Sequence, residues 1–293
     1  MFHQNLMRHR YVMEGCGTLC RVAKIRGPQM NKLLIALLAL TLLSGCGQNE
    51  PAAQAPAAPQ ASEADAAAAP AAPPTDPVID YVWNSTAEGM TDEQLMDIAA
   101  RWNARIDAAG YDMVGANILK PQFETDDYDV IWTLLWPSSE AREAAWADWN
   151  ANQLADWNAE LDGALSYEDG NIYTFKPAGG WESSLAALPQ GGTFIPNFSF
   201  CSFNEGFSED SIATFREAYD AGLAEADSGN YGYYILEPQF EQNEADLVWL
   251  DLFADAAAMQ EGSDTWSGSE LEAQWNDMVT CQSFTFAATA IRR

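Results

Sequence analysis

Histidine is nearly missing from this 293-residue chain: His3 and His9 stand near its start and none follows. Histidine is the usual general base at neutral pH and the commonest metal ligand. Its absence excludes Ser-His-Asp hydrolysis, Cys-His catalysis, His-ligated haem and typical His zinc sites. What remains is carboxylate, Tyr, Trp, Asn and Gln chemistry. Positive charge is scarce too, with 14 Lys and Arg against 43 Asp and Glu. Nucleic acid is therefore not an expected partner, because phosphate neutralisation needs Lys and Arg. The same field repels anionic lipid and anionic substrates and attracts cations. No segment carries the spaced carboxylates of a calcium loop, so no metal site is expected; "YEDGN" and "DSGN" are only fragments. A long hydrophobic run is also lacking. The apolar stretch from Leu33 to Leu43 is 11 residues long, whereas a spanning helix needs about 20.

That stretch follows Asn31 and Lys32 and precedes Ser44, Gly45 and Cys46, which suits the apolar region of a signal peptide over residues 30–45. The segment Leu43-Ser44-Gly45-Cys46 resembles the bacterial lipobox. The resemblance implies that the Cys46 thiol is diacylated, the peptide is cut before it, and the new N-terminus is acylated. It implies a partner, the membrane, reached through a lipid anchor at Cys46. With Gly47 next and no Asp there, it also implies the outer membrane of a Gram-negative cell envelope. Residues 1–29 do not fit a signal peptide's short basic opening, and Met30 is read as the start. Cys16 and Cys20 then fall outside the exported chain, as do both histidines. From Cys46 onward 8 basic side chains face 42 acidic ones, which fits a solvated surface adapted to a salty extracytoplasmic setting.

From Pro51 to Thr75 the chain holds 13 Ala and 6 Pro. Such a composition cannot bury enough apolar area to offset the entropy of ordering, so residues 46–76 read as lipidated Cys plus linker. Beyond it the chain repeats itself. "ILKPQFE" from Ile118 recurs as "ILEPQFE" from Ile235, a shift of 117. The same shift aligns Gly89 with Gly206, Leu95 with Ile212, Trp102 with Tyr219, Asp129 with Asp246 and Trp132 with Trp249. Caps, apolar faces and strands agree in one ungapped alignment, which argues for a duplicated unit over 77–180 and 190–293.

Each copy reads as strand, helix, strand, strand, helix, strand, an α+β pattern. Thr91 and Ser208 are placed to cap the first helices, and the second helices are expected near 139–165 and 256–279. This βαββαβ order is the ferredoxin-like topology, with strand order 4-1-3-2. It puts the second strand at a sheet edge, where the repeated Pro would lack no needed partner. In "DVIWTLLW" Val130, Trp132, Leu134 and Trp136 face one way and Ile131 and Leu135 the other, so both faces are apolar. Two sheets packed on their second faces would bury both. That arrangement resembles the dimeric α/β-barrel superfamily with its two protomers fused in one chain; two side-by-side α+β domains also fit the pattern.

In this topology Cys201 and Cys281 lie on antiparallel neighbours of the second copy and can form a disulfide. Trp146, Trp149, Trp157 and Leu161 share one helix face and are read as core. Trp132, Trp249, Gln122 and Gln239 are candidates to line a ligand pocket, although the two Gln, with Glu124 and Glu241, can equally serve only to close the hairpin. Asp251, which replaces Leu134 of the other copy beside Trp249, is the candidate catalytic carboxylate, since burial among aromatics would raise its pKa. The recurrent polar residues form no acid, base and nucleophile set, so the expected role is non-catalytic binding of a small molecule or partner, without a cofactor. The superfamily resemblance implies the alternative: a cofactor-independent oxygenase or isomerase working between sheet and helices.

Overall fold

A computed structural model describes residues 76–182, 185, 188–226, 229–242 and 245–293. The lipobox, Met30 and the linker up to Thr75 lie outside the described residues. In the first half the elements run β1 (Val78–Thr86), α1 (Asp92–Ala109), β2 (Gly115–Pro121), β3 (Val130–Trp136), α2 (Ser139–Asp148), α3 (Leu154–Leu161), β4 (Leu165–Ser166) and β5 (Ile172–Trp181). In the second half they run β6 (Thr193–Phe203), α4 (Glu209–Ala226), β7 (Tyr231–Pro238), β8 (Leu247–Phe253), α5 (Ala256–Trp266), α6 (Glu270–Met278) and β9 (Val279–Arg292).

Local chemistry sets the helix ends. The Thr91 side chain accepts from the Gln94 amide while Gln94 accepts from the Thr91 amide, a capping box that opens α1. Leu95, Ile98, Ala99, Trp102 and Ile106 then form its buried face, and Gly110 stops it in the left-handed conformation. The second helices are not continuous as the periodicity suggests. A single π-helical turn, Trp149–Gln153, joins α2 to α3, and the wider turn lets both Trp149 and Trp157 reach the core. In the second half Gly268, at φ 78°, breaks the run between α5 and α6.

Each half has the expected strand order, β5-β1-β3-β2 and β9-β6-β8-β7. The halves meet differently from two sheets stacked face to face. β2 pairs with β9 and β5 pairs with β7, both antiparallel, so the sheets join through their edges into a closed eight-stranded barrel. Closure removes every free edge among those eight strands. The inward set includes Tyr81, Leu119, Ile131, Phe175, Phe198, Leu236, Leu250 and Phe286, which pack together as the barrel interior. The opposite faces carry two separate layers, one under α1–α3 and one under α4–α6. The two-sided apolar pattern of β3 is thus explained by an inside and an outside.

The repeated Pro-Gln-Phe finds its reason at the two seams. Pro121 and Pro238 do not mark free edges; each ends its strand opposite an aromatic of the other half, Phe286 and Phe175 respectively. One residue on, the Gln122 amide donates to the Thr285 carbonyl at 3.0 Å and the Gln239 amide to the Thr174 carbonyl at 2.8 Å. Phe123 then packs on Phe284 and Phe286, and Phe240 on Tyr173 and Phe175. The same three residues pin both seams. At the β5–β7 seam the strands approach closely, since a Cβ on Gly180 would fall 2.2 Å from the Tyr233 carbonyl oxygen.

Cys201 and Cys281 face each other across β6 and β9 and are disulfide-bonded. A bridge closing a loop of 80 residues stabilises by about 4 kcal/mol in the chain-entropy model. Asn84, in register with Cys201 under the repeat, instead turns its side-chain amide onto the Val82 carbonyl at 2.7 Å.

Candidate functional site

Between the first sheet and α1–α3 lies a cavity of about 50 Å³. Its wall is aromatic: Trp102, Trp132, Trp136, Trp146, Trp149 and Trp157 line it, with Tyr111, Tyr167, Met113 and Asn84. Six of the eleven tryptophans of the chain meet here. Trp102 stands edge-on to Trp132 at 5.1 Å between ring centroids, and Trp149 to Trp157 at 6.2 Å.

One carboxylate organises the wall. Asp80, near the start of β1 and fully buried, accepts from the Trp136 and Trp146 indoles on Oδ2 at 2.9 and 2.8 Å. Its Oδ1 accepts from the Arg142 Nε at 2.7 Å and the Thr174 hydroxyl at 2.6 Å. A buried charge is tolerated only when paired and hydrogen-bonded, and Asp80 meets both conditions. It thereby ties α2 to β1, β3 and β5. Near the π-helical turn, the Trp149 indole donates to the Tyr167 hydroxyl at 3.2 Å, and the Tyr111 hydroxyl donates to Asp148 at 2.6 Å. Burial, and then the Asp148 carboxylate, push the Tyr111 phenol above its ordinary pKa.

Trp132 is the exception in this wall. Its side chain is 5% exposed, and its indole Nε1 is buried with no hydrogen-bond partner. The repeat explains why. Its counterpart Trp249 donates to Asp251 Oδ1 at 2.8 Å, but the position matching Asp251 in the first half is Leu134, which offers no acceptor.

The candidates named from the sequence are thus dispersed. Trp132 lies in the first layer, whereas Trp249 and Asp251 lie in the second, with the barrel between them. They do not line one shared cavity, because edge-to-edge closure turns the two helix-facing surfaces away from each other. Gln122 and Gln239 are exposed at the seams and contribute their backbone amides. Asp251 does stand among aromatics: its Oδ1 also accepts from the Tyr231 hydroxyl at 2.7 Å, and its Oδ2 from the Asn197 amide at 3.3 Å. Burial pushes its carboxyl above the ordinary value, against the pull of these three donors. Asp80, Tyr111 and Tyr167 were not singled out from the sequence. An Asp flanked by Val78 and Val82 on one strand face was the available signal for Asp80.

The chain matches no protein-family model and no curated protein. Its trace is similar to solved structures at low scores. A monooxygenase-like protein of Fusobacterium nucleatum aligns with TM-score 0.48 and 8% identity over 74% of this chain and 93% of that one. A chlorite dismutase variant from Candidatus Nitrospira defluvii aligns with 0.46 and 5%, over 73% and 92%. An anthrone oxidase-like protein aligns with 0.45 and 12%, over 73% and 91%. At these scores no residue role passes from those proteins to this chain.

Proposed function

We propose that the protein is a lipid-anchored, extracytoplasmic binder of a small neutral organic molecule, held in the cavity between the first sheet and α1–α3. The unpaired Trp132 indole carries this reading. A buried donor without an acceptor costs about 1–3 kcal/mol, and a ligand that brings a carbonyl or ether oxygen recovers that cost. The body of such a ligand would lie among indole rings. An anionic ligand is disfavoured, because Arg142, the nearby cation, is committed to Asp80 and the acidic surface repels anions; an ammonium group would bring donors and no acceptor for the Trp132 indole. Catalysis is not favoured, because the polar groups on the wall are Asn84, Tyr111, Tyr167 and the indoles, with no free base among them. Asp251, the carboxylate that an oxygenase or isomerase would use, belongs to the other layer.

The test compares acetone with 2-methylpropene, the smallest ketone and its hydrocarbon isostere, which share a shape and differ in the acceptor. With tryptophan labelled by nitrogen-15, the ketone is expected to move the Trp132 indole N–H resonance and to bind up to roughly tenfold tighter than the hydrocarbon, one hydrogen bond's worth. In Trp132→Phe the two should bind equally. Equal binding to the unaltered protein, or no shift of that resonance, would overturn the reading. The anchor is tested separately. Cys46→Ser is expected to move the protein from the membrane to the soluble fraction, because acyl chains supply the membrane affinity; membrane binding that survived the change would refute it.

A further inference from the structure

The second layer holds a cluster that ligand binding in the first does not use. Tyr231 and Asp251 share a 2.7 Å hydrogen bond, and the Tyr219 and Tyr231 hydroxyls lie 2.7 Å apart. With Asp251 ionised, the one phenolic proton of Tyr231 goes to the carboxylate, so Tyr219 must donate to the Tyr231 oxygen. Aromatic rings continue from there. Tyr219 lies 5.5 Å from Trp249 and 5.9 Å from Trp266, and Trp249 lies 5.1 Å from Trp275. Trp266 and Trp275 are only partly buried, so the chain of rings runs from Tyr231 towards the surface. At the matching positions the first half has Val114 for Tyr231, Leu134 for Asp251 and Trp102 for Tyr219. Its own tyrosine–carboxylate pair is Tyr111 with Asp148; hydrogen bonds from Tyr111 and Asn152 hold that carboxyl below its ordinary value, which makes it a weaker base than Asp251, whose carboxyl burial pushes up.

We infer that Tyr231 is a redox-active tyrosine, giving one electron to a cationic one-electron oxidant at the surface and its phenolic proton to Asp251. Removing an electron from a phenol makes it a strong acid, so the electron leaves readily only when a base is in place to take the proton. In the step the O–H bond of Tyr231 breaks, an O–H bond forms on Asp251 Oδ1, and the oxidant is reduced by one electron. Tyr231 becomes a neutral phenoxyl radical whose oxygen keeps the hydrogen bond from Tyr219; reduction reverses each change. The negative field of the chain draws a cationic oxidant to the surface end of the path. In the same layer Tyr233 also donates to a carboxylate, Asp220, at 2.5 Å. The Arg216 guanidinium lies 5.8 Å over the Tyr233 ring and donates to its oxygen, which opposes a positive charge there. Tyr231 has no such cation in its hydrogen-bond set.

The probe is photogenerated tris(bipyridine)ruthenium(III), with the product read by electron paramagnetic resonance. A neutral tyrosyl signal is expected in the unaltered protein, retained in Tyr111→Phe, Tyr128→Phe and Tyr233→Phe and lost in Tyr231→Phe and in Asp251→Asn. An undiminished signal in either of the last two would overturn the assignment. High-field spectra keep the inference testable if those variants fail to fold. The g-value along the C–O bond reports a hydrogen bond to the phenoxyl oxygen, so it should rise in Tyr219→Phe, and an unchanged value would equally overturn it.

Discussion

Asp80→Ala is expected to lower the free energy of unfolding by about 3–5 kcal/mol, the usual loss when one member of a buried charge pair is removed. Four donors lose their acceptor at once: the Trp136 and Trp146 indoles, the Arg142 Nε and the Thr174 hydroxyl. The Arg142 side chain is 25% exposed and can turn to water, which moves the expected loss towards the lower end of that range. The Trp136 indole is buried and has no such escape, and both indoles line the cavity. Ketone binding should fall with stability in Asp80→Ala. Asp80→Asn keeps the shape and one good acceptor and should lose less of both. Urea denaturation with a loss under about 1 kcal/mol would show that Asp80 is not the hub its four bonds suggest.

The sequence carried most of the architecture and little of the site, for physical reasons that particular residues make plain. Strand order within each half was legible because alternation and turn chemistry are local, and the Cys201–Cys281 bridge followed from that order. How the halves join was not legible in the same way. Pro121 and Pro238 read as edge residues since a missing donor is tolerated at an edge, yet the end of a seam strand tolerates it as well. The following Gln amide resumes the ladder to the other half. Trp132 and Trp249 were correctly matched as counterparts, and so was the exchange of Leu134 for Asp251. Whether equivalent positions face one interior or two depends on which strands pair between halves, and no periodicity reports that. Asp80 was missed because its partners come from β3, α2 and β5, up to 94 residues away. The π-helical turn at Trp149–Gln153 was missed because one extra residue in a helical turn leaves the apolar pattern nearly intact.

The seams also predict what half of the chain will do. Residues 77–180 expressed alone would leave β2 and β5 with unpaired backbone groups, and would bare the interior face that carries Tyr81, Leu119, Ile131 and Phe175. A monomer cannot satisfy either need, so a stable folded monomer is not expected. The two seams are of one kind, second strand against last strand in both cases. Two copies of the first half can therefore close a barrel by pairing β2 of each with β5 of the other, an isologous two-fold arrangement. Phe123 would then meet Tyr173 and Phe175 of its partner copy, an aromatic pair like the Phe284 and Phe286 it meets now. Analytical ultracentrifugation is expected to show a dimer, with aggregate as the competing fate of the exposed edges. A cooperatively folded monomer would mean that each half is stable without its seams. Closure of the barrel would then be a docking of two finished domains and not part of what folds them.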